Sequence, residues 1–247
     1  MSIRPFFRRL ALGAIVGLIA TAAYRSIQGF AVDRAEVRHE CWMWTRLPFN
    51  AAWLWPYVSM FLLVGLPWFL LPDGRQVRRF AACLLGLAAV GWMVFLIHPT
   101  ACARPAVDGQ PAAYALLLAV DQPNNCLPCL HSAFSVLAVW VLATGTVQFR
   151  SGVARLLLVV WLLVLCVSIV ALRQHTDLDT LAGCVLGAAG GAFFAAGQRN
   201  VGRSDPEKRR GRRAGLGTVR SGPGRIAPVD PGVDTPAWVE TARGDKP

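Results

Sequence analysis

Apolar residues along this chain come in long blocks, not in the alternation of strands or the narrow stripe of a soluble helix. Blocks fall at 10–24, 50–71, 80–97, 129–149, 153–172 and 178–198, with few charges inside them. Segments of this length match the hydrocarbon core of a bilayer, about 30 Å thick. The pattern predicts an all-α, polytopic membrane bundle of about six transmembrane helices over 1–198. The first block is short and follows Arg4, Arg8 and Arg9, as a signal-peptide core does. An uncleaved first helix is the preferred reading. Tryptophans gather near the start of the second block, as at a membrane interface. Pro72-Asp73-Gly74-Arg75 and Arg150-Ser151-Gly152 punctuate the blocks, and 112–120 reads as a short amphipathic or re-entrant piece in the long loop 98–128. Gly183, Gly187, Gly190 and Gly191 stand at the small-residue spacing that lets membrane helices pack closely.

Beyond 198 the character changes. Lys208-Arg209-Arg210-Gly211-Arg212-Arg213 opens a stretch rich in glycine, proline and charge, expected to be a disordered basic cytoplasmic tail over 199–247. The net charge of +11 reads as arginines flanking spans, not as a nucleic-acid surface, so no nucleic-acid partner is expected. A mean hydropathy of +0.45 agrees with a bilayer as the surrounding medium. The basic ends and turns alternate so as to share one side, cytoplasmic by the positive-inside tendency. The loops carrying Arg104, His131 and His175 then share the extracytoplasmic side, as expected for a bacterial inner-membrane protein. The mixed-charge loop 25–48, with His39 and Cys41, lies on that side too. Cys83, Cys166 and Cys184 sit in apolar blocks and read as core filler.

Three polar points interrupt this organisation. His131 follows Pro128 at the start of an apolar block, where a helix start and its free N–H groups favour an anion. His175 and Asp179 are four residues apart, on one helical face, so the carboxylate can hold the imidazole. Asp177 points elsewhere and suits a helix N-terminus. Arg104 offers planar donors for a phosphate. Two imidazoles, a carboxylate and a guanidinium on one membrane face suit phosphoryl transfer, with one histidine as nucleophile and the other as general acid. Arg173 reads first as an interface anchor and second as a phosphate ligand. His98 and His39 read as loop residues.

These residues resemble the type-2 phosphatidic acid phosphatase superfamily. The motifs fall at Arg104-Pro105, at Pro128-Cys129-Leu130-His131, and from Ser168 through His175 to Asp179, within about 80–197. The run from Asn125 to Ala133, Gln174-His175 with Asp179, Ala182 and Gly183, and His98 to Arg104 are more similar to the inositol phosphorylceramide synthase-like branch. The resemblance implies a six-helix bundle with a metal-independent, cofactor-free site at the outer leaflet, acting on a lipid phosphate. By it, His175 attacks phosphorus, Asp179 orients and activates it, and His131 protonates the leaving alkoxide. Arg104 binds the phosphate, with Cys129 in the slot of a serine. Ile97 and Ile169 stand where the phosphatase pattern has a lysine and an arginine; His98 or Arg173 would compensate. A phosphatase and a phosphotransferase share this chemistry, and the commoner phosphatase is expected. A haem- or metal-binding membrane protein using the histidines, and a non-catalytic scaffold, are the alternatives. A Cys102–Cys126 disulfide is expected to pin the first motif beside the second.

Overall fold

The computed structural model describes residues 3–38, 42–105, 109–146 and 148–204. His39, Cys41 and the basic cluster at 208–213 lie outside them. The described residues form seven α-helices: α1 (Ile3–Ala31), α2 (Leu54–Leu70), α3 (Gly74–Ile97), α4 (Ala112–Val120), α5 (Leu130–Gly145), α6 (Gly152–Ala171) and α7 (Asp177–Ser204). Two three-residue strands, β1 (Glu36–Arg38) and β2 (Thr100–Cys102), pair in parallel with Glu36 opposite Thr100. Helices α1, α2, α3, α6 and α7 are long and apolar enough to cross a membrane, and α5 is a shorter apolar helix of 16 residues. The protein is an integral-membrane helical bundle.

Local chemistry moves several boundaries from where hydropathy puts them. Helix α3 starts at Gly74, not near residue 80, because the Asp73 carboxylate accepts the Gln76 N–H at 2.8 Å and caps the turn. Helix α1 is twice its apolar run. Its leading arginines are helical, and Arg9 donates to the carbonyls of Leu71 at 2.8 Å and Phe69 at 3.2 Å. Those carbonyls end α2 and have no partner in the helix itself. Helix α7 stays helical to Ser204, past the boundary expected at 198.

Contacts also sort the two ends of the bundle. Arg9 ties the start of α1 to the α2–α3 turn, and Arg79 in α3 donates to the Phe193 carbonyl of α7 at 2.7 Å. At the opposite end of α1, Tyr24 donates to the Asp121 carboxylate at 2.9 Å and Arg25 to the Val120 carbonyl at 2.6 Å. Asn124 donates to the Gln28 carbonyl at 2.7 Å.

One buried cluster joins α2, α5 and α6 through Leu63, Leu142, Leu165 and Ile169. A second joins α1, α2, α3, α5 and α7 through Val16, Trp68, Phe80, Leu137 and Phe194. The outer face of α6, with Leu156, Leu157 and Leu163, is exposed apolar surface of the kind lipid covers. Lipid removes the hydrophobic drive for helices to associate, so close packing must hold them together. Gly183, Gly187 and Gly191 supply it along α7. A Cβ at these positions would stand 2.1 Å from the Cys129 carbonyl oxygen, 2.4 Å from that of Ala133 and 2.5 Å from the Trp140 ring. Only a bare α-carbon lets α7 lie this near α5.

Candidate active site

That approach brings the first turn of α5 beside the start of α7. Cys129 is the N-cap of α5, and its sulfur accepts the Ser132 N–H at 3.5 Å. Its own N–H donates to the Asp179 carbonyl at 3.0 Å, and the Ser132 hydroxyl is 2.9 Å from the Thr180 carbonyl. Pro128 precedes the cap and does not open the helix. His131 is the second residue of α5 and faces α2 and the α6–α7 link.

That link, residues 172–176, is five residues long and is closed at both ends. Helix α6 ends in a Schellman motif: the Gln174 N–H bonds the Ile169 carbonyl at 3.1 Å and the Arg173 N–H bonds that of Val170 at 3.0 Å. Arg173 takes the left-handed position, φ 59°, where glycine is usual. Helix α7 begins with a reciprocal capping box. The Thr176 N–H donates to Asp179 Oδ2 at 2.9 Å, and the Asp179 N–H donates to Thr176 Oγ1 at 3.2 Å. His175 lies between these two stops, 5% exposed, with little freedom to move.

The two imidazoles meet. His131 Nδ1 and His175 Nε2 are 3.1 Å apart, with ring centroids 5.3 Å apart. His175 Nδ1 is 3.0 Å from the Cys126 carbonyl oxygen, which can only accept, so that nitrogen carries the proton. In the neutral ring Nε2 is then a lone pair, and His131 Nδ1–H donates to it. His131 Nε2 in turn accepts from the Tyr57 hydroxyl at 2.9 Å. Burial pushes the His175 imidazole well below the ordinary histidine range, and His131 and Arg104 push it further, against the Cys126 carbonyl. His175 is therefore neutral, with its lone pair aimed along the line to His131.

The other expected site residues stand differently. The Asp179 carboxylate is fully buried and bonds the Thr176 N–H; the proton on His175 Nδ1 goes to Cys126 instead. Asp179 still has a carboxylate oxygen within 4.8 Å of a His175 ring nitrogen, and its Oδ1 has no hydrogen-bond partner among the described residues. Arg104 donates to the carbonyls of Asp121 and of Gln122, the latter at 3.2 Å, and pairs with the Asp121 carboxylate at 3.5 Å. Its charge reaches the site; its two terminal nitrogens are engaged by that loop, while its buried Nε–H has no partner among the described residues. Arg173 donates to the Leu47 carbonyl at 3.0 Å. His98 is the exposed C-cap of α3. Ile97 is 84% exposed, and Ile169 is fully buried in the α2–α5–α6 core. Asp177 opens α7 and accepts the Leu178 N–H at 3.0 Å.

Sequence reasoning misses two contributors, the Tyr57 hydroxyl and the Cys126 carbonyl. Tyr57 is one aromatic in an apolar block, and no sequence signal separates it from core. The capping box is legible as Thr176-x-x-Asp179.

Among the described residues two groups have metal-ligand proximity, Cys129 with His131 and His175, and Cys126 with His175 and Asp179. Both imidazoles already use both ring nitrogens, so an ion at either place would have to break the hydrogen-bonded chain. Around the pair, Asn125, Gln174, Asp179 and Arg104 bury polar atoms with no partner among the described residues.

No curated protein and no solved structure matches the chain. The family model described as PAP2 superfamily matches residues 79–203, just over half of the 247. That span holds both histidines, Asp179 and Arg104. Family members are generally phosphatases or phosphotransferases, which accords with a neutral imidazole facing a proton donor, and the chain belongs to the PAP2 superfamily.

Proposed function

We propose that this integral-membrane protein hydrolyses a lipid phosphate monoester at the extracytoplasmic face, through a phosphohistidine on His175. The observation that carries the reading is the 3.1 Å approach of His131 Nδ1 to His175 Nε2, from segments 44 residues apart. A phosphoryl group entering between the rings meets a lone pair on one side and an N–H on the other. His175 Nε2 forms the P–N bond as the P–O bond to the alcohol breaks. His131, held as imidazolium against the phosphate's charge, gives its Nδ1 proton to the departing alkoxide. In the second half, His131 Nδ1 takes a proton from water as that water attacks phosphorus, the P–N bond breaks and phosphate leaves. No metal or cofactor enters these steps.

Asp179 acts in two ways: it caps the helix that begins just after His175, and its charge stabilises the positive charge that develops on the phosphorylated ring. Arg104 attracts the anion through its field and holds the 121–122 segment in place. Cys129 sets the first turn of α5, and its sulfur lies within 4.8 Å of both imidazoles. The buried polar atoms of Asn125 and Gln174 suit a polar headgroup, because leaving such atoms unpaired costs about 1–3 kcal/mol each.

The test is phosphate release from a panel of lipid phosphates, with a chelator present, by wild type and His175→Ala. The expected result is metal-independent release that falls by several orders of magnitude in the variant. Unchanged release by the variant would remove His175 as nucleophile. A second reading, a phosphotransferase of the inositol phosphorylceramide synthase type, draws support from Ile169. A buried core side chain stands where the phosphatase pattern has an arginine. A transferase would show product only when an acceptor alcohol is added.

A further inference from the structure

Tyr57 lies on α2, outside the 79–203 span of the family match, and nothing in the three motifs points to it. It is 2% exposed and sits in an apolar cluster with Leu54, Leu63 and Leu165. Its hydroxyl has one hydrogen-bond partner among the described residues, His131 Nε2 at 2.9 Å, and its ring stacks at a tilt on the same imidazole, centroids 5.1 Å apart. A buried phenol in an apolar setting needs a partner, and this one is aimed at the nitrogen of His131 that faces away from His175.

We propose that Tyr57 is the positioning residue of the general acid, a hydroxyl rotor that keeps His131 Nε2 paired while Nδ1 gains and loses its proton. The inference rests on the phosphatase reading above. In the free protein His131 donates from Nδ1 to His175, so its Nε2 is a lone pair and Tyr57 donates to it. When His131 is imidazolium, Nε2 carries a proton and the phenol oxygen accepts it. After Nδ1 has given its proton to the alkoxide, Nε2–H remains on the phenol oxygen. The lone pair is then left on Nδ1, where the attacking water needs it. A hydroxyl can both donate and accept by rotation, which serves all three states without moving a heavy atom. Phenylalanine would fill the same volume and leave a buried ring nitrogen unpaired in each of them.

The effect belongs to proton delivery, so it depends on the leaving group. An alkoxide needs the proton, whereas 4-nitrophenolate leaves without it. The test measures release of the leaving alcohol or phenol from dodecyl phosphate and from 4-nitrophenyl phosphate, by wild type, Tyr57→Phe and Leu63→Ala in detergent. Leu63→Ala removes a fully buried side chain of the same helix and serves as the structural control. Because kcat/KM stops at the phosphoenzyme and leaves out the water step that both esters share, the expected result for Tyr57→Phe is a loss of about thirtyfold in kcat/KM on the alkyl ester and of less than about threefold on the aryl ester. Leu63→Ala should lower the thermal midpoint and scale both esters together. Equal losses of Tyr57→Phe on both esters, or no loss on either, would overturn the role of Tyr57 and leave the phosphatase reading intact. A wild type that cleaves neither ester, or a His175→Ala variant as active as wild type, would overturn the phosphatase reading and the Tyr57 role with it.

Discussion

Substituting Asp179 separates two roles that a histidine–aspartate spacing merges. The carboxylate bonds the Thr176 N–H at 2.9 Å, while the proton on His175 goes to the Cys126 carbonyl. In Asp179→Asn the amide oxygen can still accept from Thr176, so the cap survives and the charge is lost. In Asp179→Ala both are lost. Removing a cap acceptor costs about 1 kcal/mol, more when the abandoned N–H is buried, as that of Thr176 is. A unit charge within 4.8 Å of the positive charge on the phosphorylated ring is worth about 3 kcal/mol at an effective dielectric near 20, at least about a hundredfold in kcat. Thermal midpoints in detergent and kcat on one lipid phosphate read the two roles separately. Asn should hold wild-type stability with kcat down at least about a hundredfold, whereas Ala should show the same rate loss and a lower midpoint. Wild-type turnover by Asn would remove the charge role, and equal destabilisation by Asn and Ala would remove the cap role.

Further outcomes follow from the same geometry. Arg173→Gly should be more stable than Arg173→Ala by about 1 kcal/mol, because both lose the Leu47 contact and only alanine keeps the left-handed cost; equal midpoints would contradict the Schellman assignment. Gly183→Ala should abolish turnover by forcing α7 away from Cys129, while Gly86→Ala, with open space around its α-carbon, should leave it intact. Burial holds the His175 imidazole well below the ordinary value of about 6.5, so its neutral form stabilises the fold above that pH and this contribution is lost as pH falls towards the folded value. The midpoint should therefore drop below about pH 6.5 more steeply in wild type than in His175→Gln. Cys102 and Cys126 are buried free thiols; the Cys102 N–H and the Cys126 thiol share the Pro123 carbonyl, at 2.8 and 3.1 Å. Thiol exchange with a protein disulfide would join them and reduce that partner to two thiols. Protein taken from an oxidising compartment should then show a linked peptide in non-reducing maps; identical maps with and without reductant would exclude the bond.

Much of the bundle is legible in the sequence, because the bilayer demands apolar blocks of fixed length and arginines mark their ends. The meeting of His131 with His175 follows from topology, since their loops fall at one end, and from the glycines that seat α7 on α5. What the sequence does not show is how hydrogen bonds are shared out. The four-residue spacing of His175 and Asp179 competes with the three-residue spacing of Thr176 and Asp179, and the cap takes the carboxylate. Arg104 is engaged by Asp121 and Gln122, whose approach depends on Tyr24 and Arg25 at the end of α1, far away in the chain. Tyr57 looks like any core aromatic until α2 lies against α5.

The most direct test of the central claim is to quench the protein at alkaline pH during turnover of a radiolabelled lipid phosphate and map the label. The account predicts an acid-labile, base-stable phosphate on the peptide carrying His175, absent from His175→Ala. Label on Cys129 or on any other residue, or turnover with no labelled protein at any time after mixing, would contradict it.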